Sequence, residues 1–196
     1  MFTGIVAHKG SVVDVADQAG VRRLTVDAGP LADLMVGDSI AVNGVCLTAV
    51  GVHGSRVDVE IVPETLSRSS FGAVLPGDPV NLERPMVSDG RFDGHLVQGH
   101  VDGVGRVRAV VADSDDRRLT IEVPPELARF IAEKGSITVD GVSLTVAEVG
   151  SSNFEVALIP HTLEVTTLGL RKEGDQVNLE VDIIAKYVER LLGAGS

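Results

Sequence analysis

The sequence predicts an all-β chain of two similar small barrels of antiparallel strands, followed by a C-terminal α-helix. Three observations carry this. The chain contains a long internal repeat. Each repeat consists of short Val-rich runs of alternating polarity separated by Gly, Pro and Asp, the pattern of strands joined by tight turns. The last stretch, "IIAKYVERLL", has no counterpart in the first repeat. It places Ile184, Tyr187, Val188 and Leu191 on one face at helical spacing.

The repeat can be followed element by element. "TGIV" at 3–6 pairs with "QGHV" at 98–101, and "RRLTV" at 22–26 with "RRLTI" at 117–121, at an offset of 95. Later matches have an offset of 97: "VNGVCLTAV" from Val42 with "VDGVSLTVAEV" from Val139, "VPETL" with "IPHTL", and "PGDPVNLE" with "EGDQVNLE". Two extra residues near "PPELARF" account for the change of offset. Each unit is therefore about 90 residues, a domain-sized repeat. We divide the chain into an N-terminal barrel at 1–88, a C-terminal barrel at 89–182 and a helix at 183–196. The boundary falls in the turn-rich "RPMVSDGRFDG", Arg84 to Gly94.

Within the units, "NG" and "DG" between apolar runs signal two-residue hairpins. Some six runs per unit suggest a closed barrel, which removes exposed strand edges. Phe2 to Val6 is expected to be the first strand. Strand alternation puts Cys46 and Thr48 on one face, with Val45 and Leu47 on the other, and Ser143 and Thr145 repeat this arrangement. The repeat thus presents a small polar pair twice, with a thiol in one copy and a hydroxyl in the other.

Composition narrows the partners. The 196 residues are 44% hydrophobic but only 3% aromatic, without Trp, so the cores rest on Val, Ile and Leu. A net charge of −11 argues against nucleic acid or an anionic membrane as main partner. One cysteine excludes an internal disulfide and a cysteine-based zinc cluster. No stretch is long enough to span a membrane, and the N-terminus lacks signal-peptide character, so a cytoplasmic protein is expected. His95, His100 and Asp102 fit no usual zinc spacing, and no metal is expected. "GHVDGVG" lacks the βαβ context of a dinucleotide site. "DSDD" at 113–116 reads as a solvated loop.

Taken together, "MFTGIV", "GDSIAVNGVCLT", "PETL", "GHLVQGHVDGVG", "KGSITVDGVSLTV", "LIPHT" and "VNLEVD" resemble the riboflavin synthase family over nearly the whole chain. The resemblance implies two six-stranded Greek-key barrels with a C-terminal helix, assembled as a homotrimer whose sites lie between subunits. It implies dismutation of two 6,7-dimethyl-8-ribityllumazine molecules by four-carbon transfer, without a cofactor, and lumazine synthase as a candidate partner. A non-catalytic lumazine- or flavin-binding protein of the same fold is the alternative. A dismutation needs two copies of one substrate in different roles, which would explain two pockets that differ at one nucleophile.

By the same resemblance, the first pocket would use Gly4, Ile5 and Val6, with Cys46, Leu47, Thr48 and the run Glu60, Ile61, Val62, Pro63, Glu64, Thr65. The second would use Gly99, His100, Val101, Lys134, Ser143, Leu144, Thr145 and the run Ala157, Leu158, Ile159, Pro160, His161, Thr162. Phe2, Thr3 and Asp182 are further candidates for binding. Gln98 and Asp93 stand where the family commonly has serine and glycine, and both are expected near the second pocket. The catalytic candidates are Cys46, His100, Ser143 and Thr145. An imidazole is suited to take an acidic methyl proton, which makes His100 the candidate base, although a strand-end histidine bonded to backbone is the competing reading. Cys46, the two hydroxyls or a water could add to the acceptor ring. Phe2 is read either as a cover for a pteridine face or as a barrel plug.

Overall fold

Asn43-Gly44 and Asp140-Gly141 sit at hairpin tips with positive φ at all four positions, between 44° and 78°, as a type I′ turn requires. They join strands in a computed structural model that describes residues 1–18, 20–31, 33–113 and 116–193. The strands of the first half are β1 (His8–Gln18), β2 (Val21–Asp27), β3 (Ser39–Val42), β4 (Val45–His53), β5 (Arg56–Ile61) and β6 (Pro79–Glu83). Those of the second are β7 (Gly103–Asp113), β8 (Asp116–Glu122), β9 (Ser136–Val139), β10 (Val142–Val149), β11 (Asn153–Leu158) and β12 (Gln176–Val181). Among the described residues, four α-helices interrupt or follow them: α1 (Pro63–Arg68), α2 (Pro125–Ala128), α3 (Pro160–Val165) and α4 (Ile183–Gly193).

Each set of six strands closes into a barrel, and the two orders are the same once β7 is matched to β1. β2 pairs with β5 and not with β3, which gives the Greek-key connection. Each barrel carries bulges on its first and fourth strands, at Val12/Asp14 and Ala49/Gly51 in one and Val107/Ala109 and Val146/Glu148 in the other. Bulges at equivalent places bend equivalent strands and let short sheets close. The cores are aliphatic, built around Leu24, Ile40, Val59 and Leu82 in the first barrel and Leu119, Ile121, Ile137 and Leu179 in the second. Each fully buried side chain of this kind contributes roughly 1.5–3 kcal/mol.

The "VNLE" segments on β6 and β12 alternate between two tasks. Val80 and Leu82 enter one core, and Val177 and Leu179 the other. The intervening asparagines join the barrels: Asn81 Nδ2 donates to Asp140 O and Asn178 Nδ2 to Asn43 O, both at 2.9 Å. Their side-chain oxygens accept Thr167 N at 2.8 Å and Ser70 N at 2.7 Å. Gly44 and Gly141 meet at this junction, where a Cβ on either would lie 2.7 Å from the other's amide nitrogen. The two barrels therefore pack hairpin to hairpin about an approximate twofold.

One expectation changes. Phe2 to Val6 is not a barrel strand: Phe2 makes a single bridge to Val97, and β1 begins at His8. Gly4, with φ +77°, turns the chain out of extended geometry. The tip of "DSDD", at 114–115, lies outside the described residues, as does the tail at 194–196. The helix itself is present as α4, and Ile184, Tyr187, Val188 and Leu191 are 50–77% exposed on it. Lys186 ties α4 to its own barrel through Asp102 at 2.6 Å, and Glu189 does so through Arg129 at 2.9 Å. No described helix is long and apolar enough to cross a membrane.

Candidate active site

The two repeat-equivalent positions, Cys46 on β4 and Ser143 on β10, each receive a chain segment from the other half. The carbonyl of Gly99 accepts the amide of Cys46, and the carbonyl of Gly4 accepts the amide of Ser143, both at 2.8 Å. The approach demands glycine. Both Gly4 and Gly99 have φ +77°, and a Cβ on either would lie 2.6 Å from the Cβ of the residue it meets.

This corrects the expected grouping. Gly4, Ile5 and Val6 do not join Cys46 but cross to the second barrel, where Val6 packs against the core. Gly99, His100 and Val101 cross in return, and Val101 packs against the first core. Gln98 travels with them, its backbone amide donating to Glu180 at 2.8 Å. The reason is the bend at each glycine together with a glutamate that captures the amides before it. Glu83 accepts Thr3 N, Thr3 Oγ1 and Gly4 N at 2.7–3.1 Å. Glu180 accepts Gln98 N, Gly99 N and His100 N at 2.8–3.0 Å. Burial pushes both carboxyls above their ordinary range, and the amide bonds oppose that.

At Cys46 the result is an open cleft of about 200 Å³ lined by Val45, Cys46, Glu64, Thr65, Arg68, Gly99, His100 and Val101. Arg68 Nε donates to Glu64 at 2.6 Å, on the rim. His100 is exposed in this cleft, not near Ser143. The other flank of Cys46 packs against Phe2, Ala41 and Val97. Phe2 is fully buried there, in a small cluster apart from both barrel cores, so its ring fills neither barrel and is enclosed by these neighbours. A larger cleft, about 400 Å³ and lined by Asn43, Phe71, Arg106 and Arg171 among others, contains none of the expected site residues.

Ser143 has a different neighbour. Its Oγ lies 2.7 Å from Nδ1 of His95, whose backbone amide donates to Thr3 O. Burial lowers the His95 pKa below the usual histidine value, partly offset by the charge of Asp182, so the ring is neutral at neutral pH. A neutral imidazole against a hydroxyl can accept its proton or hold its orientation. Gly94 makes room for this, since a Cβ there would meet Thr3 O at 1.9 Å and Ser143 Cβ at 3.2 Å. In the sequence, His95 stands out only as part of a spacing that fits no usual zinc pattern. The structure separates the two histidines, with His95 at Ser143 and His100 at Cys46.

The remaining expected residues surround these centres unevenly. Thr48 and Thr145 are exposed on the same strand faces as Cys46 and Ser143. Leu47, Ile61 and Leu158 point into the barrel cores, and Leu144 packs against the second core. Glu60 and Ala157 are exposed, Glu60 beside Arg23 at 3.8 Å. Val62, Pro63, Glu64 and Thr65 form the entry to α1, and Ile159, Pro160, His161 and Thr162 form the matching entry to α3. Lys134 adopts φ +65° and donates through Nζ to Ala147 O at 3.1 Å, at the bulge of β10. Asp182 accepts the amide of Ile184 at the start of α4.

The family described as lumazine binding domain matches the chain twice, over residues 3–85 and 98–182. Curated relatives include a riboflavin synthase of Mycobacterium tuberculosis, 50% identical over 98% of this chain and 98% of its own. A riboflavin synthase of Actinobacillus pleuropneumoniae is 44% identical over 98% of this chain and 90% of its own. Among solved structures, LumP complexed with riboflavin superposes with a TM-score of 0.86 at 26% identity, covering 92% of this chain and 99% of that one. With both repeats matched and the relatives aligned along nearly the full length, the chain belongs to the riboflavin synthase family of lumazine-binding-domain proteins.

Proposed function

We propose that this chain is a riboflavin synthase that converts two molecules of 6,7-dimethyl-8-ribityllumazine into riboflavin and 5-amino-6-ribitylamino-uracil. One observation carries the reading beyond family membership. The two repeats build equivalent places with unequal chemistry, a thiol packed on apolar groups at Cys46 and a hydroxyl bonded to a half-buried imidazole at Ser143.

The chemistry asks for such a difference. The donor and acceptor are the same molecule, so only the surroundings can assign the roles. One lumazine must lose a proton from its 7-methyl group, giving a carbanion delocalised into the ring. The other must be polarised at the carbons that receive the four-carbon unit. Ser143 with His95, and Thr145 beside them, form one polarising group. Cys46 with His100 and Thr65 forms the other. Donor hydrogen bonds that stabilise charge developing in the reaction act in this way. Holding two rings in a reactive geometry can by itself supply roughly 7–11 kcal/mol. No metal or cofactor is required by this scheme.

The cleft at Cys46, about 200 Å³, is smaller than the roughly 300–1,000 Å³ that usually encloses a small ligand. A second surface closing over it fits the reading that the N-terminal barrel of one subunit meets the C-terminal barrel of the next. The apolar face of α4, exposed in the single chain, suits packing of three copies about an axis. A cytoplasmic homotrimer is accordingly part of the proposal, with lumazine synthase as candidate partner and domain limits at 88 and 182.

The non-catalytic binder is separated from the enzyme by one assay. Purified protein incubated with the lumazine should develop riboflavin fluorescence, with two lumazines consumed for each riboflavin formed. Stoichiometric binding without riboflavin formation would favour the binder.

A further inference from the structure

Glu83 and Glu180 occupy equivalent buried positions at the ends of the two "VNLE" segments. Burying a carboxylate is costly, and closing a barrel does not require one. The oxygens of each are directed to consecutive backbone amides of a crossing segment, Thr3 and Gly4 in one case, Gln98, Gly99 and His100 in the other. Fixing those amides also fixes the peptide that follows. Its carbonyl, on Gly4 or Gly99, then points away from its own barrel and reaches the amide of Ser143 or Cys46 in the other.

We propose that Glu83 and Glu180 are positioning residues for the pocket of the opposite barrel. Glu83, on β6 of the first barrel, sets the Gly4–Val6 wall of the Ser143 pocket. Glu180, on β12 of the second, sets the Gly99–Val101 wall of the Cys46 pocket. The inference rests on the reading of these two places as the substrate sites. It adds a crossed dependence that neither the repeat nor the pocket residues contain. Glutamine in place of either glutamate keeps the shape, but its NH₂ group would face an amide N–H, and the segment would lose one of its fixed points.

The test uses the full chain with one pocket filled at a time. Thr48→Arg obstructs the Cys46 pocket and Thr145→Arg the Ser143 pocket; both threonines are exposed, so neither change enters a core. Riboflavin binding is then titrated by fluorescence in each background. With only the Ser143 pocket open, Glu83→Gln should weaken riboflavin binding about tenfold or more, the loss of a hydrogen bond to a charged group. With only the Cys46 pocket open, the same change should stay within about twofold. Glu180→Gln should give the opposite pattern. A loss confined to the glutamate's own barrel, or equal losses in both pockets, overturns the proposal. Amide exchange checks the cause: Glu83→Gln should speed exchange at Thr3 and Gly4 and leave Gly99 and His100 unchanged. If Glu83→Gln does not fold, Glu83→Asp, which keeps the charge but shortens the reach, is judged by the same pocket comparison. Wild-type protein that binds neither riboflavin nor the lumazine would overturn the functional reading itself, a result distinct from any pattern among the variants.

Discussion

Gly4 is hydrogen-bonded to Ser143: its carbonyl accepts the serine amide at 2.8 Å, although the two residues belong to different repeats. Gly99 and Cys46 make the same bond in the opposite direction. Each of the two places is therefore built jointly by both halves of the chain. A duplicated domain that had kept its segments to itself would carry two independent pockets. The exchange couples them.

The first prediction concerns the swapped nucleophile. Ser143→Ala strands the imidazole that the hydroxyl now satisfies, while Cys46→Ala removes a thiol packed on Phe2, Ala41 and Val97. Both variants should fold. We expect turnover by Ser143→Ala to fall about 10–100-fold and that by Cys46→Ala clearly less, read as kcat and KM separately. Equal losses would contradict the assignment of different roles.

His95 makes the second. Its pKa is lowered from 6.5 by burial, so the unfolded chain binds its proton more readily than the folded one. The stability tied to the neutral ring is then fully present above about pH 6.5 and lost as pH falls through the lower folded value. Denaturant unfolding of wild type and His95→Gln across pH 7.5 to 5 should show the wild-type advantage shrinking toward acid. An advantage that grew toward acid would contradict a histidine held neutral in its pocket.

The C-terminal helix supplies the third. Its apolar residues Ile184, Tyr187, Val188 and Leu191 face solvent in the single chain, while Lys186 and Glu189 hold the helix to its own barrel. Removing everything after Asp182 should yield monomers in light scattering. A trimer that survives the deletion would show that another surface assembles the subunits.

Much of the architecture was legible because it is written in local terms. "NG" and "DG" between apolar runs specified two hairpins, and strand alternation correctly separated Cys46 and Thr48 from Val45 and Leu47. The C-terminal helix followed from its spacing. The exchange of segments was not legible, for a physical reason. A repeat shows that Gly4 and Gly99 are equivalent, but equivalence is the same whether each packs on its own barrel or on the other. The choice is made by a bend at φ +77° and by the reach of Glu83 and Glu180, none of which leaves a periodic trace. His95 was missed because its partner is 48 residues away. The signal available was the glycine before it, placed where no side chain fits.

The central claim is that a reaction centre forms from two unequal half-sites on neighbouring subunits. Subunit reassembly tests it most directly. One chain carries Cys46→Ala with Thr48→Arg and the other Ser143→Ala with Thr145→Arg, so each alone should be nearly inactive. Unfolded together and refolded, they should regain activity, because roughly a quarter of randomly formed interfaces would join two intact barrels. Recovery of riboflavin synthesis in the mixture is the predicted result. Proven exchange of subunits with no recovery would contradict it and place the whole reaction within a single chain.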